Sequence, residues 1–308
     1  MTAVLIVGGN GFLGSHLVDR LVADGHEVAV FDRYSTGRPR YDAAGVRATV
    51  GDLADIAALG AAMLGVQEVY HFVSPSTPAT AVADPLVDVR IGLPHSVALL
   101  QAAVDAGVSR VVYASSGGAI YGDQPVPAFR ETDPPAPVSP YAIGKLAVEG
   151  YLRYFRRTHG LDTIALRIAN PYSHRQEGMR GQGLIAIALH AAQRGTPLSV
   201  FGDGSMVRDY VHADDVVATM AAMVGRPHQH EVYNLGSGHG VSVAALLALI
   251  ERVTGVGLQT VRLEVPPTFV QRSVLDITRV VTEYGIRPTR ELDEGIGEIW
   301  ARLEGSAR

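Results

Sequence analysis

Tyr141 and Lys145 stand four residues apart in SPYAIGK, a spacing that puts both on one face of a helix with the ammonium beneath the phenol. A phenol with a pKa of about 10 is a poor base at neutral pH, but a neighbouring cation lowers that value. An oxidised nicotinamide beside the pair would push the same way. The pair reads as a general base with a cation to activate it. A second stretch, VVYASSGGAIYGD, runs from Val111 to Asp123. Its apolar start reads as a buried strand, and Ser115 and Ser116 lie where that strand meets a glycine turn. Either serine could present a hydroxyl to a substrate, or both could merely satisfy backbone at the turn.

These groups need a scaffold, and VGGNGFLG begins it by placing Gly8, Gly11 and Gly14 between a first strand and a first helix. Glycine there allows a tight turn, brings backbone amides up to a pyrophosphate and lets helix pack on strand; the helix N-terminus adds partial positive charge. Phe12 and Leu13, which open the helix, are counted with the same cofactor site. Asp32 ends the second strand about 20 residues further on, where a carboxylate accepts both hydroxyls of an adenosine ribose and favours NAD over NADP. Arg33 and Arg38 leave some room for NADP. Asp52 and Leu53 in GDL follow the third strand, where an adenine edge could lie against them.

Short β-branched runs at residues 4–7, 27–31, 46–50, 68–72 and 110–114 read as buried strands. Helical spacing fills 12–24, 55–64 and 85–106 between them, and Pro94 is expected to kink or interrupt the last. Such alternation predicts an α/β fold with a doubly wound parallel sheet of Rossmann type. After 163–168 the rhythm changes to a polar loop and a less regular second lobe. The expected division is 1–170 for the dinucleotide domain, with the chain returning to it around 205–236, and 171–308 for a smaller C-terminal α/β substrate lobe. The 308 residues carry a net charge of −5 and no cysteine. That excludes disulfides and thiol chemistry and argues against nucleic acid as a partner. With neither a basic leader nor a run of about 18 apolar residues, the expectation is a cytoplasmic protein that binds no membrane.

The chain resembles the extended short-chain dehydrogenase/reductases, and within them the NAD-dependent nucleotide-sugar epimerases and dehydratases of the UDP-glucose 4-epimerase type. The resemblance covers essentially the whole length. It rests on GGNGFLG, FDR, GDL, VYHF, SS..IYG, PYAIGK, LRIANPY, FGDGSMVRDYVHADDV and YNLGSG. It implies a reversible hydride transfer: Tyr141 as phenolate takes the proton of a sugar C4 hydroxyl while NAD takes the hydride, the transient 4-keto sugar turns over, and the hydride returns to its other face. Lys145 would hold the tyrosine's pKa down and grip the nicotinamide ribose. A Ser or Thr usually stands four residues before the tyrosine of the IYG motif, which here is Gly117. Strand register instead selects Ser116, followed by one extra glycine, with Ser115 as an assistant.

The same resemblance assigns Asn170 and Arg208 to the diphosphate of a UDP- or dTDP-linked sugar. For Arg208 the alternative is an ion pair with Asp209, Asp214 or Asp215. A second phosphate-binding arginine is missing from its usual place, and Arg272 is the nearest substitute. The usual asparagine and threonine give way to VRIGLPHS, and a common lysine to Ser76. Arg175 and Arg180 lie in a loop that is either simply solvated or reads an acidic sugar such as glucuronate. No metal site is expected from the eleven histidines. The leading expectation is an NDP-sugar 4-epimerase that pairs as a homodimer through helices 85–106 and 140–158. The alternatives are a 4-ketoreductase, a decarboxylase of a UDP-sugar acid, and a catalytically silent NAD-binding sensor. GGAI stands where 4,6-dehydratases carry an Asp-Glu pair, which disfavours dehydration.

Overall fold

Apolar strands and alanine-rich helices alternate through the first half of the chain. In the computed structural model, which describes residues 1–35, 37–176 and 183–306, the order is β1 (Ala3–Val7), α1 (Phe12–Ala23), β2 (Glu27–Asp32), β3 (Arg47–Val50), α2 (Ile56–Met63), β4 (Glu68–His71) and α3 (Pro78–Ala83). A π-helical turn (Asp88–Gly92) runs into α4 (Leu93–Asp105), followed by β5 (Arg110–Ser116), α5 (Pro140–His159) and β6 (Asp162–Ile168). The remainder is β7 (Asn170–Tyr172), α6 (Leu184–Arg194), β8 (Leu198–Phe201), β9 (Val207–His212), α7 (Ala213–Met223), β10 (Val232–Leu235), β11 (Gly240–Ser242), α8 (Val243–Thr254), β12 (Thr260–Leu263), β13 (Arg272–Ser273), α9 (Thr278–Tyr284) and α10 (Leu292–Ser306).

Seven strands form the main sheet in the order β10-β6-β5-β4-β1-β2-β3, and every pairing is parallel. Strand order reverses between β1 and β4, which opens a crevice at the carboxyl ends of the strands. Two apolar clusters cover the sheet's faces, one including Val4, Ile6, Leu17 and Val112 and the other Leu5, Val7, Leu59 and Val111. That split follows from the period-two alternation of side chains along β1 and β5. The second lobe has its own cluster, centred on Leu189, Leu246 and Ile296. It carries a small sheet of β11, β9 and β13 with β7 added to β9, and a separate β8–β12 pair. After β6 the chain leaves the main sheet and comes back once to lay down β10. No helix of the described residues is long and apolar enough to cross a membrane.

Two expectations are corrected. Residues 46–50 do not form a buried strand: β3 is the sheet's edge, and Val50 is 73% exposed. Nor are residues 85–106 one helix. The Leu93 amide reaches back five residues to the Asp88 carbonyl instead of four, widening the turn just before Pro94, whose ring and missing N–H disrupt a regular ladder.

Candidate active site

The first turn of α5 is fixed locally. Ser139 caps it by accepting from the Ala142 amide, and Pro140 supplies the first helical position. Tyr141 and Lys145 then face the carboxyl end of β5. Ser116, the last residue of that strand, stands beside the Tyr141 hydroxyl and favours its ionised form. A Cβ at Gly117 would lie 2.4 Å from Leu275 Cδ1, so the position four before Tyr121 has no room for a side chain. Ser115 takes no part in this group. Its hydroxyl donates to Glu149 Oε1 at 2.7 Å, and Glu149 holds the buried Arg167 at 2.8 Å. Adjacent strand residues point to opposite faces, so one serine meets the tyrosine and the other serves an internal ion pair.

Lys145 is 6% exposed and donates to the Ala114 carbonyl at 2.9 Å. Its Nζ stands 4.8 Å from the Tyr113 ring centroid and 5.7 Å from that of Tyr141. Burial pushes Lys145 down to about 8, opposed by Asp88 and Glu149. Tyr141 is pushed up to about 12, chiefly by burial and only partly offset by Ser116. In the unliganded protein Lys145 does not offset that rise, and the nicotinamide expected to act with it would add further positive charge. Burial outweighs a cation placed against the ring and tied to a carbonyl, so ionising Tyr141 requires additional positive charge in the crevice.

The glycine loop has the shape a pyrophosphate needs. A Cβ at Gly14 would come within 2.3 Å of the Gly8 carbonyl oxygen, so α1 can start this close to β1 only with glycine there. Gly11 caps the helix, and the amides of Phe12 and Leu13 fall in its first turn, where intrahelical partners are lacking. Asp32 accepts the Asn10 amide on one oxygen at 3.0 Å and the Tyr34 amide on the other at 2.9 Å. Each oxygen keeps a lone pair for a ribose hydroxyl. Asp52 receives the Ala54 amide and lies 3.7 Å from Arg33, while Leu53 is buried with Phe31 beside the sheet. The pattern fits a dinucleotide.

On the substrate side, Asn170 Nδ2 donates to the Asp209 carbonyl at 3.1 Å, which fixes its amide at the start of β7. Arg208 bonds only main-chain carbonyls and a thioether: Val207 O and Val270 O at 2.8 Å, Gln271 O at 3.4 Å and Met206 Sδ at 3.7 Å. Its three candidate partners are engaged elsewhere. Asp209 takes the amides of Ser237, Gly238 and Leu275, Asp214 takes His16, and Asp215 takes the amides of Thr289 and Arg290. Burial lowers the Arg208 pKa, opposed by Tyr210 and Asp123, and none of the described carboxylates forms a salt bridge with it.

Arg272 and Arg175 are occupied differently. Arg272 Nε donates to the Pro127 carbonyl at 2.9 Å; it pairs in register with Val207 while Ser273 pairs with Arg208, so it projects from the other face of the strand. Arg175 forms an ion pair with Asp19 of α1, and its carbonyl accepts from Arg40. Arg180 lies outside the described residues. Sequence reasoning missed Asp209, which is fully buried and ties β9 to the 237–238 turn and Leu275. Nothing in the acid-rich run RDYVHADD marks which carboxylate turns inward. It also missed a legible signal: Lys145 is the sole lysine among 308 residues.

A parallel sheet with a glycine loop, a ribose carboxylate and a Ser–Tyr–Lys group at one crevice defines a dinucleotide-dependent enzyme of the short-chain dehydrogenase/reductase class. Residues 4–236 match the NAD dependent epimerase/dehydratase family, and the chain belongs to it. A UDP-glucose 4-epimerase of Mycolicibacterium smegmatis is 36% identical over 304 residues, 96% of either chain. The structure of a UDP-glucose 4-epimerase from Thermotoga maritima with UDP-glucose superposes with a TM-score of 0.93 at 32% identity, covering 100% of both chains. That of a Thermus thermophilus UDP-glucose 4-epimerase complexed with NAD gives 0.92 at 33% identity, over 99% of this chain and 100% of the other. NAD is the cofactor of this family, and the glycine loop and Asp32 are the residues that would hold it.

Proposed function

We propose that the protein is an NAD-dependent 4-epimerase of a UDP-linked hexose, with Ser116, Tyr141 and Lys145 as its catalytic residues. The observation that carries this reading is the Ser116 hydroxyl set beside Tyr141 at the end of β5, where it favours the phenolate, followed by Gly117 and Gly118, which carry no acid-base side chain. A 4,6-dehydratase needs a further proton donor and acceptor there, and the 2.4 Å approach to Leu275 leaves no space for one at position 117. NAD, when bound, supplies the hydride acceptor and the positive charge that favours a phenolate. Tyr141 accepts the proton of the sugar C4 hydroxyl and later returns it. Ser116 orients that oxygen and shares its proton, and Lys145 stabilises the ionised tyrosine. Asn170 and Arg208 hold the diphosphate, Arg208 by a bidentate fork.

The Arg175–Asp19 ion pair favours a neutral sugar, since reading a carboxylate would require Arg175 to leave Asp19. The test is to incubate the protein as purified with UDP-glucose or UDP-glucuronate, without added cofactor, and follow the ring protons by NMR. The galacto epimer appearing from UDP-glucose supports the reading. Stoichiometric consumption of added NADH by a 4-keto sugar would instead identify a reductase, a reading favoured by the 32% identity of 63% of the chain to an Escherichia coli dTDP-4-dehydro-6-deoxyglucose reductase. Two copies pair through α4 and α5, around which Leu86, Val89, Ile91, Ile143, Tyr151 and Tyr154 stand exposed. Sedimentation of the purified protein measures that directly. A cysteine-free chain acting on nucleotide sugars fits the cytoplasm.

A further inference from the structure

The π-helical turn does more than accommodate Pro94. It delivers Asp88, 7% exposed, to the wall of a small polar pocket whose other side is Lys145, with Ser74, Ser96 and Tyr113 between them. The Ser76 hydroxyl grips the carboxylate at 2.6 Å. Gly92 and Gly144 make the space: a Cβ at Gly144 would sit 2.9 Å from Asp88 Cβ, and one at Gly92 would sit 3.1 Å from Asp88 Oδ1. Among the described residues, no arginine or histidine lies within ion-pairing distance of Asp88. Residues of VRIGLPHS, where the resemblance leads one to expect an asparagine and a threonine, and Ser76, where it leads one to expect a lysine, meet at this one carboxylate. Such convergence calls for a role at the site rather than in the core.

We propose that Asp88 is a positioning residue of the active site, the counter-charge that keeps the buried Lys145 an ammonium ion across their shared pocket. This rests on the reading of Lys145 as the activator of Tyr141. The other groups facing Lys145 cannot replace it. Glu149 of α5 is claimed by Arg167 of β6 and by Ser115. Tyr113 of β5 and Tyr141 of α5 are neutral, their pKa values raised mainly by burial. His71 of β4 bonds Ser96 and is neutral too, pushed down to about 3 by burial and then by Lys145. Among the described groups that face Lys145, Asp88 is the negative one not neutralised by an arginine, and it favours the charged form of Lys145 against the cost of burial. It also opposes the ionisation of Tyr141, so removing its charge lowers both pKa values together.

Because Lys145 is the sole lysine, protein grown with [13Cε]lysine gives a single side-chain resonance that reports its ionisation. In the NAD-loaded protein, Asp88→Asn is expected to move the titration midpoint of that resonance down by at least about one pH unit. Asp88→Ala, smaller and without a clash, is expected to do the same if the asparagine variant folds poorly. The pH profile of kcat should shift acidward on both limbs, with KM for the nucleotide sugar unchanged. A folded variant of either kind with the wild-type midpoint overturns the proposal, since a purely structural Asp88 lowers stability without moving that midpoint. A shifted midpoint in a protein that turns over no UDP-sugar upholds Asp88 and counts against the epimerase reading. An unmoved midpoint with normal turnover does the reverse.

Discussion

Lys145 in the first lobe is a buried cation and Arg208 in the second a half-buried one, and the protein surrounds them differently. Lys145 has negative charge built in around it, from Asp88 across a pocket and Glu149 one turn along its own helix. Among the described residues Arg208 bonds carbonyl oxygens and a thioether and has no salt-bridge partner, with Asp123 acting only from a distance. Carbonyls satisfy N–H donors but do not neutralise a charge, so Arg208 stays poised for an anion, while Asp88 and Glu149 offset part of the burial cost of Lys145. The first arrangement suits a group whose charge must be constant through a catalytic cycle. The second suits a group that binds and releases a diphosphate.

That comparison can be broken at several points. The largest effect belongs to Tyr141→Phe, which should lower kcat about a thousandfold with substrate binding retained, measured by NMR of the turnover mixture. Arg208→Leu should cost about 2–4 kcal/mol in kcat/KM, roughly thirty- to a thousandfold. It should leave the unliganded protein as stable or more stable, because it removes a desolvated charge that no salt bridge among the described residues balances. UDP should then raise Tm in the wild type and not in the variant. A marked loss of unliganded stability would show that Arg208 is structural after all.

Gly117→Ala is the next smaller test. It should cost about 1–3 kcal/mol of stability through overpacking against Leu275, read from urea unfolding, and lower kcat by displacing Ser116. The smallest effect is a pH slope. Lys145 has its folded value near 8, below the ordinary 10.5. The unfolded chain therefore holds a proton that the native state has lost between about pH 8 and 10.5, and this group makes stability rise with pH across that window. Lys145→Met should remove that rise, and thermal unfolding at pH 7.5 and 9.5 compares the two proteins directly.

Strand and helix periodicity made the seven-stranded sheet legible, because its buried strands are largely apolar on both faces and the first glycine loop is forced by the close approach of Gly14 to Gly8. β3 was misread because an edge strand with the pattern Arg-Ala-Thr-Val satisfies the same propensities without being covered. Ser116 could be picked by register, since a one-residue slip turns the hydroxyl to the other face, and it does meet Tyr141. The elevated pKa of Tyr141 was not legible, because burial is a property of the packed crevice and not of the Y-x-x-x-K spacing. The engagement of Arg175 with Asp19 and of Arg272 with Pro127 was hidden for a similar reason. Those partners lie 156 and 145 residues away in sequence, and only the closed chain brings them together.

The central claim is that one active site moves a hydrogen off and back onto the same sugar carbon. The direct measurement uses UDP-glucose deuterated at C4, incubated with the protein as purified, with the product followed by 2H NMR and mass spectrometry. The expected product is UDP-galactose with the deuterium retained at C4 and no label lost to water. Loss of the label to solvent, or a product lacking the galacto configuration, would contradict it.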